Sequence, residues 1–314
     1  MTLRAALAAL MILAAVNTPA AAADAAPVAS GQTYATAEDA VTALVNAIRS
    51  DKPDAIMAVL GPGSERLINS GDAVVDDTAR KKFVAAFGEK HQLTANGSDS
   101  MTLVVGNDDW PLPIPIAKSD GKWHFDSPAG AQELIDRRIG RDEIAAIRTS
   151  LTYVDAQKDF YALARQVEGT AFYAQQLVSN PGRHDGLYWE PDDGEDGSPL
   201  APLVDQARSE GYPGSVTAGK PQAYFGYYFR ILTGQGPNTP EGASSYIGAD
   251  GEMTKGFALI AWPASYGASG VMSFIVNQDG IVFQKDLGPD TASVAAKIKL
   301  YDPDLSWSRV EVTN

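Results

Sequence analysis

An apolar stripe at helical spacing, Leu134, Ile135, Ile139, Ile144, Ile147, Leu151, Val154 and Tyr161, limits the fold of this chain more than any other feature. Kept up over roughly thirty residues after Pro128, it predicts one long helix with a side that must be covered along its length. Gly140 is the only breaker inside the stripe and is expected to mark a bend or a junction, at about 1 kcal/mol. Around it, Arg137, Arg138 and Arg141 are interleaved with Asp136, Asp142 and Glu143. Opposite charges within one or two turns read as a solvated ion-pair face and not as an anion site.

The segment ahead of this helix changes period midway. Thr36 followed by Asp39 resembles a capping box, and the helix it opens ends near Arg49. A second helix fits Pro53 to Leu60 with Gly61 as its stop, and a third fits Thr78 to Phe87. Extended runs follow at Met101 to Val105, Trp110 to Ile116 and Lys122 to Phe125, with Asp120-Gly121 as a hairpin turn. Pro111, Pro113 and Pro115 cannot all serve a ladder, which places their segment at a sheet edge. Beyond the long helix lies a loop-rich stretch from Ser179 to Gly219 with a short helix from Leu200 to Ser209. Strands are then expected at Tyr224 to Leu232, Phe257 to Trp262, Val271 to Val276 and Ile281 to Gln284, the last two as a hairpin, before a helix from Thr291 to Leu300.

The fold class is therefore α+β: N-terminal helices with a curved antiparallel sheet forming a small cone, similar to the nuclear-transport-factor-like fold, then a long helix packed on a C-terminal antiparallel sheet. The expected organisation is a signal peptide over 1–23, a flexible leader over 24–35, an N-terminal domain over 36–140 and a C-terminal domain over 141–314. Arg4, the apolar run from Ala5 to Val16 and the small residues Ala20 to Ala23 make the pattern of a cleavable export signal, so the expected location is periplasmic or secreted, with no membrane span after cleavage. The chain has no cysteine, which removes disulfides, thiolate metal sites and thiol nucleophiles. A net charge of −14 repels phosphate backbones, so nucleic acid is excluded as a partner.

Several runs carry a resemblance: Gly186-Leu187-Tyr188-Trp189, Phe225 to Thr233, Gly256 to Pro263 and Gly270 to Gly280, together with Trp110-Pro111 and Arg137 to Arg141. With these the chain resembles an uncharacterised family of exported bacterial proteins, domain of unknown function twenty-nine fifty, over nearly the whole mature length. That resemblance implies no activity and no catalytic residues. The C-terminal half is more distantly similar to the globular part of type IV pilins and pseudopilins, through Asp155-Ala156-Gln157 to Tyr161-Ala162 and the strands after it. The pilin N-terminal helix and prepilin-peptidase site are lacking, which argues against filament assembly.

Chemical motifs are few. His91, His124 and His184 have no second histidine at a metal-binding spacing and read as surface or hydrogen-bonded residues. Gly267-Ala268-Ser269-Gly270 falls short of a nucleophile elbow, because Val271 stands where the second glycine belongs, and reads as a turn. His124, Asp126 and Asp109 beside the hairpin are candidates for an acid/base pair in the cone, if alternation aims them inward. The run Tyr224, Phe225, Tyr227, Tyr228 and Phe229 has one face for the core and another that is either a tyrosine-rich binding surface or packing beneath the helix. The function read from this is a non-enzymatic binding or cell-envelope interaction role with an envelope protein partner. The alternative is a small enzyme or ligand-binding protein using a cavity in the cone.

No cofactor is expected beyond weakly bound calcium. Asp192, Asp193, Glu195 and Asp196 form the candidate metal site, since carboxylates crowded on one loop repel each other until a hard cation bridges them; otherwise the loop is simply solvated. Gly194 and Leu203 replace ligands that an EF-hand would supply, so affinity is expected at roughly 0.1–1 mM. Titration calorimetry of the mature chain, beside a variant carrying Asp192→Asn and Asp196→Asn, tests this. Heat and a calcium-dependent rise in melting temperature are expected for the native sequence alone, and their absence at millimolar calcium ends the idea.

Overall fold

The computed structural model describes residues 31–190, 197–213 and 222–311. Among them, the first helices form where local signals are strongest. α1 (Ala37–Arg49) is capped by Thr36, whose Oγ1 accepts the Asp39 N–H at 3.0 Å, and α2 (Pro53–Leu60) runs from its first-turn proline to Gly61. A short α3 (Glu65–Ile68) was not anticipated, and α4 (Ala73–Glu89) starts ahead of the expected Thr78 because Asp72 caps it. Five strands follow: β1 (His91–Ala95), β2 (Ser100–Val105), β3 (Trp110–Pro111), β4 (Ile116–Ser119) and β5 (Lys122–Phe125). They pair antiparallel in the order β1-β2-β4-β5, with β3 also on β2. The β4–β5 turn places Asp120 and Gly121 at φ 51° and 77°, as a two-residue hairpin requires.

The proline run does not form one edge strand. β3 and β4 lie on the same side of β2, with Trp110 opposite Val105 and Ile116 opposite Met101, and the chain between them leaves the ladder. Proline has no N–H to donate, so the strand splits at that point. The inner face of this sheet packs Leu103, Val105, Ile116 and Phe125 against Val41, Leu44 and Ile56, making the first core.

Next comes α5 (Ser127–Glu168), 42 residues long, capped by Asp126 and closed by Gly169 at φ 72°. It runs unbroken through Gly140, where an added Cβ would meet nothing within 4 Å. Leu134 packs on the first core, whereas Ala146, Tyr153, Val154 and Phe160 belong to a second. One helix thus serves both. Beyond it are α6 (Ala201–Ser209), β6 (Tyr227–Leu232), β7 (Gly234–Gln235), β8 (Ser244–Ser245), β9 (Ala258–Pro263), β10 (Met272–Asn277), β11 (Phe283–Asp286), α7 (Thr291–Lys297) and β12 (Ser308–Arg309). β7 and β8 pair with each other; the rest form an antiparallel sheet in the order β12-β11-β10-β9-β6. β9 and β10 are buried nearly throughout because α5 contacts both and α7 contacts β9. The aromatic run is not one strand: Phe225 and Gly226 form a turn at φ 47° and 71°, across which Tyr224 and Tyr227 exchange backbone bonds of 2.9 and 3.1 Å, so strand alternation starts only at Tyr227.

The charge cluster on α5 is a solvated face only in part. Arg137 pairs with Glu133 at 2.9 Å in the open, but Asp142 is fully buried and Glu143 Oε1 accepts the N–H groups of Val271 and Met272 at 3.0 Å each. Arg138 donates to the carbonyls of Arg66 (2.9 Å) and Leu67, and Arg66 in turn donates to the Gly267 carbonyl. Asp72, also buried, has both oxygens filled. Its Oδ1 accepts the Val74 and Val75 N–H groups, and its Oδ2 accepts the Tyr212 hydroxyl at 2.8 Å and the Gly226 N–H at 3.0 Å. These carboxylates and guanidinia form a polar seam where α3 and α4 meet the C-terminal sheet.

Asp142 is the seam's least satisfied member. Oδ1 takes Arg141 Nε and Nη2 at 3.1 and 3.0 Å, while Oδ2 is buried without a partner. Burial pushes its carboxyl up to about 7 against the pull of Arg141 and Arg138, with the Asp72 charge adding to the rise. The folded chain therefore holds a proton that the unfolded chain has already released above about pH 4. This contribution to stability is complete below about pH 4 and is lost as pH climbs through about 7. Chemical denaturation of the native chain and of Asp142→Asn across that window is expected to show the native chain losing roughly 2–4 kcal/mol relative to the variant. A difference independent of pH would refute a buried, proton-binding Asp142.

Candidate functional site

A cavity of about 590 Å³ opens between α5, α6 and the edge strand β6. Its floor is Phe229 and Ile231 of β6 with Leu259 of β9, and its roof is Thr149 and Tyr153 of α5 with Leu203, Val204 and Ala207 of α6. Gln175 to Val178 form one wall, and Tyr212, Tyr224, Tyr228 and Trp262 close it with aromatic surface.

Polar contacts fix each wall. The Tyr153 hydroxyl donates to the Ala258 carbonyl at 3.1 Å and accepts from Gln157 Nε2 at 3.0 Å. Gln157, fully buried, also bonds both backbone groups of Ala174, at 2.8 and 2.9 Å, which sets the course of the chain entering 175–178. Burial raises the Tyr153 phenol above its ordinary value, so it stays neutral. On the α6 side, Arg208 Nη2 donates to the Tyr188 hydroxyl (2.9 Å) and to Glu190 Oε2 (2.6 Å), and Tyr188 itself donates to Glu190. Burial, helped by the bond to Glu190, pushes Tyr188 up to about 12. Across β6, Arg230 lies over the Trp262 ring at 5.4 Å and donates to the carbonyls of Ala295 and Ile298 at 2.7 and 2.5 Å. Arg230, the one charged residue among the described lining, thus turns its charge to the C-terminal end of α7, where carbonyls and the helix dipole receive it.

The described lining that remains is neutral, mostly apolar and rich in tyrosine, with Gln175, Gln176 and Gln222 as its amides. Among the described residues it holds no histidine or carboxylate, and Thr149 is its one aliphatic hydroxyl. Such a surface binds by contact area and a few directed hydrogen bonds. One such bond is open: the Tyr224 hydroxyl is buried without a partner, pushed up to about 12 by burial and by the Glu210 charge nearby. A buried donor in that state calls for an acceptor.

Of the residues singled out from sequence, Tyr224, Tyr228 and Phe229 come together here. Asp192, Asp193, Glu195 and Asp196 lie outside the described residues; among those described, no group of three or more histidines and carboxylates is placed to hold a metal ion. His124, Asp126 and Asp109 do not converge. Asp126 caps α5 through the Ala129 N–H, Asp109 pairs with Lys90 at 2.6 Å, and His124 sits between the core residues Trp123 and Phe125, on the opposite side of β5. Strand alternation therefore turns His124 away from the first core. His91 stacks on Phe87 and His184 on Trp189. Ser269 is a turn residue: its Oγ accepts the Ser265 N–H at 3.0 Å and donates to the Ser265 carbonyl at 3.2 Å. Sequence reasoning missed Tyr153 and Tyr212, isolated aromatics with no local signal, although Tyr188 and Trp262 stand in runs that carried the family resemblance.

No curated protein and no solved structure matches the chain, so the likeness to pilin globular domains rests on sequence pattern alone. A family model does match, under the description "Protein of unknown function (DUF2950)", over residues 31–310. Both cores, the long helix and the aromatic cavity fall within that span, and the chain belongs to the DUF2950 family.

Proposed function

We propose that this chain is an exported, non-enzymatic binding protein of the cell envelope whose ligand occupies the aromatic cavity. The observation that carries the reading is the cavity itself: about 590 Å³, within the usual size of ligand sites, lined mostly by aromatic and aliphatic groups around a tyrosine hydroxyl that lacks a partner. Among the described lining residues there is no histidine or carboxylate to serve as a general base, which favours retention of a ligand over its conversion. Export is supported by the basic, apolar and small-residue pattern of the first 23 residues. Among the described residues, no helix is long and apolar enough to cross a membrane.

Two measurements test this. Mass spectrometry of chain recovered from periplasm or medium is expected to give a mature terminus near Asp24, whereas an intact Met1 in the membrane fraction would contradict export. For the cavity, an uncharged environment-sensitive probe, N-phenyl-1-naphthylamine, is expected to bind the native chain saturably with enhanced fluorescence. Ala207→Trp fills the space from the α6 side and should abolish most of that signal, while overpacking costs only about 1–3 kcal/mol and leaves the chain folded. A native chain that gives no saturable signal would end the binding reading.

A further inference from the structure

β6 is an edge strand, and the direction of its free edge can be read from the bonds at its start. The Gly226 carbonyl accepts the Ala264 N–H at 2.8 Å, toward β9, while Tyr227 exchanges both its backbone bonds with Tyr224 on the opposite side. Backbone direction alternates along a strand, so Phe229 and Ile231 turn their N–H and C=O groups the same way as Tyr227, away from β9. Tyr224 has already peeled off at that point. Among the described residues, no backbone or side-chain group bonds Phe229 or Ile231 on that side. The four consecutive residues Tyr228 to Ile231 all line the cavity, although their side chains alternate between the two faces of the sheet. A cavity touching both sets must run along the strand's edge.

We propose that the ligand of this cavity is an extended, uncharged peptide segment of another protein, added as a further strand on β6. This rests on reading the cavity as the ligand site and deepens that reading. Phe229 and Ile231 offer two donors and two acceptors at a two-residue repeat, a pattern that an extended backbone answers directly. Side chains on one face of the added segment enter the apolar space beside Tyr153, Ile231 and Leu259. The same lining sets the charge of the segment. Among the described lining residues, Arg230 is committed to the carbonyls of Ala295 and Ile298 and is not offered to an acidic residue, and no carboxylate is placed to receive a basic one. β6 also carries no proline to discourage pairing, and its one charge, Arg230, is drawn to the end of α7.

The probe is the capped pentapeptide acetyl-Val-Thr-Val-Thr-Val-amide with two relatives, N-methylated on residues 1, 3 and 5 or on residues 2 and 4. Added to the isotope-labelled full-length mature chain, the parent peptide is expected to slow hydrogen exchange at the Phe229 and Ile231 amides at least tenfold. One methylated relative should bind at least tenfold more weakly than the other, because only one alternate set of N–H groups faces β6. Ala207→Trp should remove these effects. If the parent and both relatives bind alike, or displace the naphthylamine without protecting Phe229 and Ile231, strand addition is overturned while the cavity reading stands. If the naphthylamine binds and the peptide does not, strand addition is again overturned. If neither binds, both readings fail. A concentration-dependent dimer dispersed by the peptide would assign the edge to a second copy of this chain, overturning the assignment to another protein.

Discussion

Four hydrogen-bond donors converge on the Asp72 carboxylate, two from the helix it caps and two from distant parts of the chain. Val74 and Val75 belong to the first turn of α4, Tyr212 follows α6, and Gly226 opens the final approach to β6. The bonds from Tyr212 and Gly226 are buried, so those two donors are removed from water when the chain folds. Losing the carboxylate would leave a helix start, a buried phenol and a turn amide unsatisfied together. The Phe225 N–H donates to the Tyr212 hydroxyl at 2.8 Å, so Asp72 also positions, at one remove, a non-glycine residue held at φ 47°. The tight turn that starts β6 depends on this one side chain.

Around it the seam contains more buried charge than its hydrogen bonds satisfy. Burial raises the Asp76 and Asp142 carboxyls and lowers the Arg138 guanidinium, opposite directions with one cause, the loss of water. A hydrophobic seam of the same shape would often be at least as stable. What the charges add is definition. Arg138 reads two particular carbonyls on α3, Glu143 two particular amides at the start of β10, and neither set is available in a shifted packing. Gly226 shows how close the fit is, since a Cβ there would lie 2.6 Å from the Ser269 Cβ and 3.1 Å from Asp142 Oδ2.

This also marks the limit of what was legible from sequence. Helices with a capping residue, a first-turn proline or a glycine stop were readable, as with Thr36, Pro53 and Gly61, because the partners of those signals are a few residues away. The Asp120-Gly121 and Asn277 to Gly280 hairpins were readable for the same reason. The proline run and the aromatic run were identified as unusual but assigned too regular a structure. In each, the strand is shorter than its composition suggests, and a turn or a break takes up the rest. The α5 charges were legible only in part, because Asp142 looks the same on a helical wheel whether its neighbours are water or the buried Ser269 and Gly226. The cavity was legible only through Tyr224 to Phe229; its other walls come from α5, α6 and β9, and nothing local joins them.

The seam and the cavity share a small set of residues. Tyr212 has its ring in the cavity wall and its hydroxyl on Asp72; Gly226 has its amide on Asp72 and its Cα against Asp142. Charge is thereby kept on the seam side. The Tyr212 phenol remains neutral, raised by burial and by the Asp72 charge beside it. A tyrosine in this position can transmit the placement of a buried carboxylate to an apolar wall without bringing the charge along. Because Asp72 sets the turn and the turn sets where β6 begins, the contact that closes the two halves of the chain also decides which β6 amides and carbonyls are left facing the cavity.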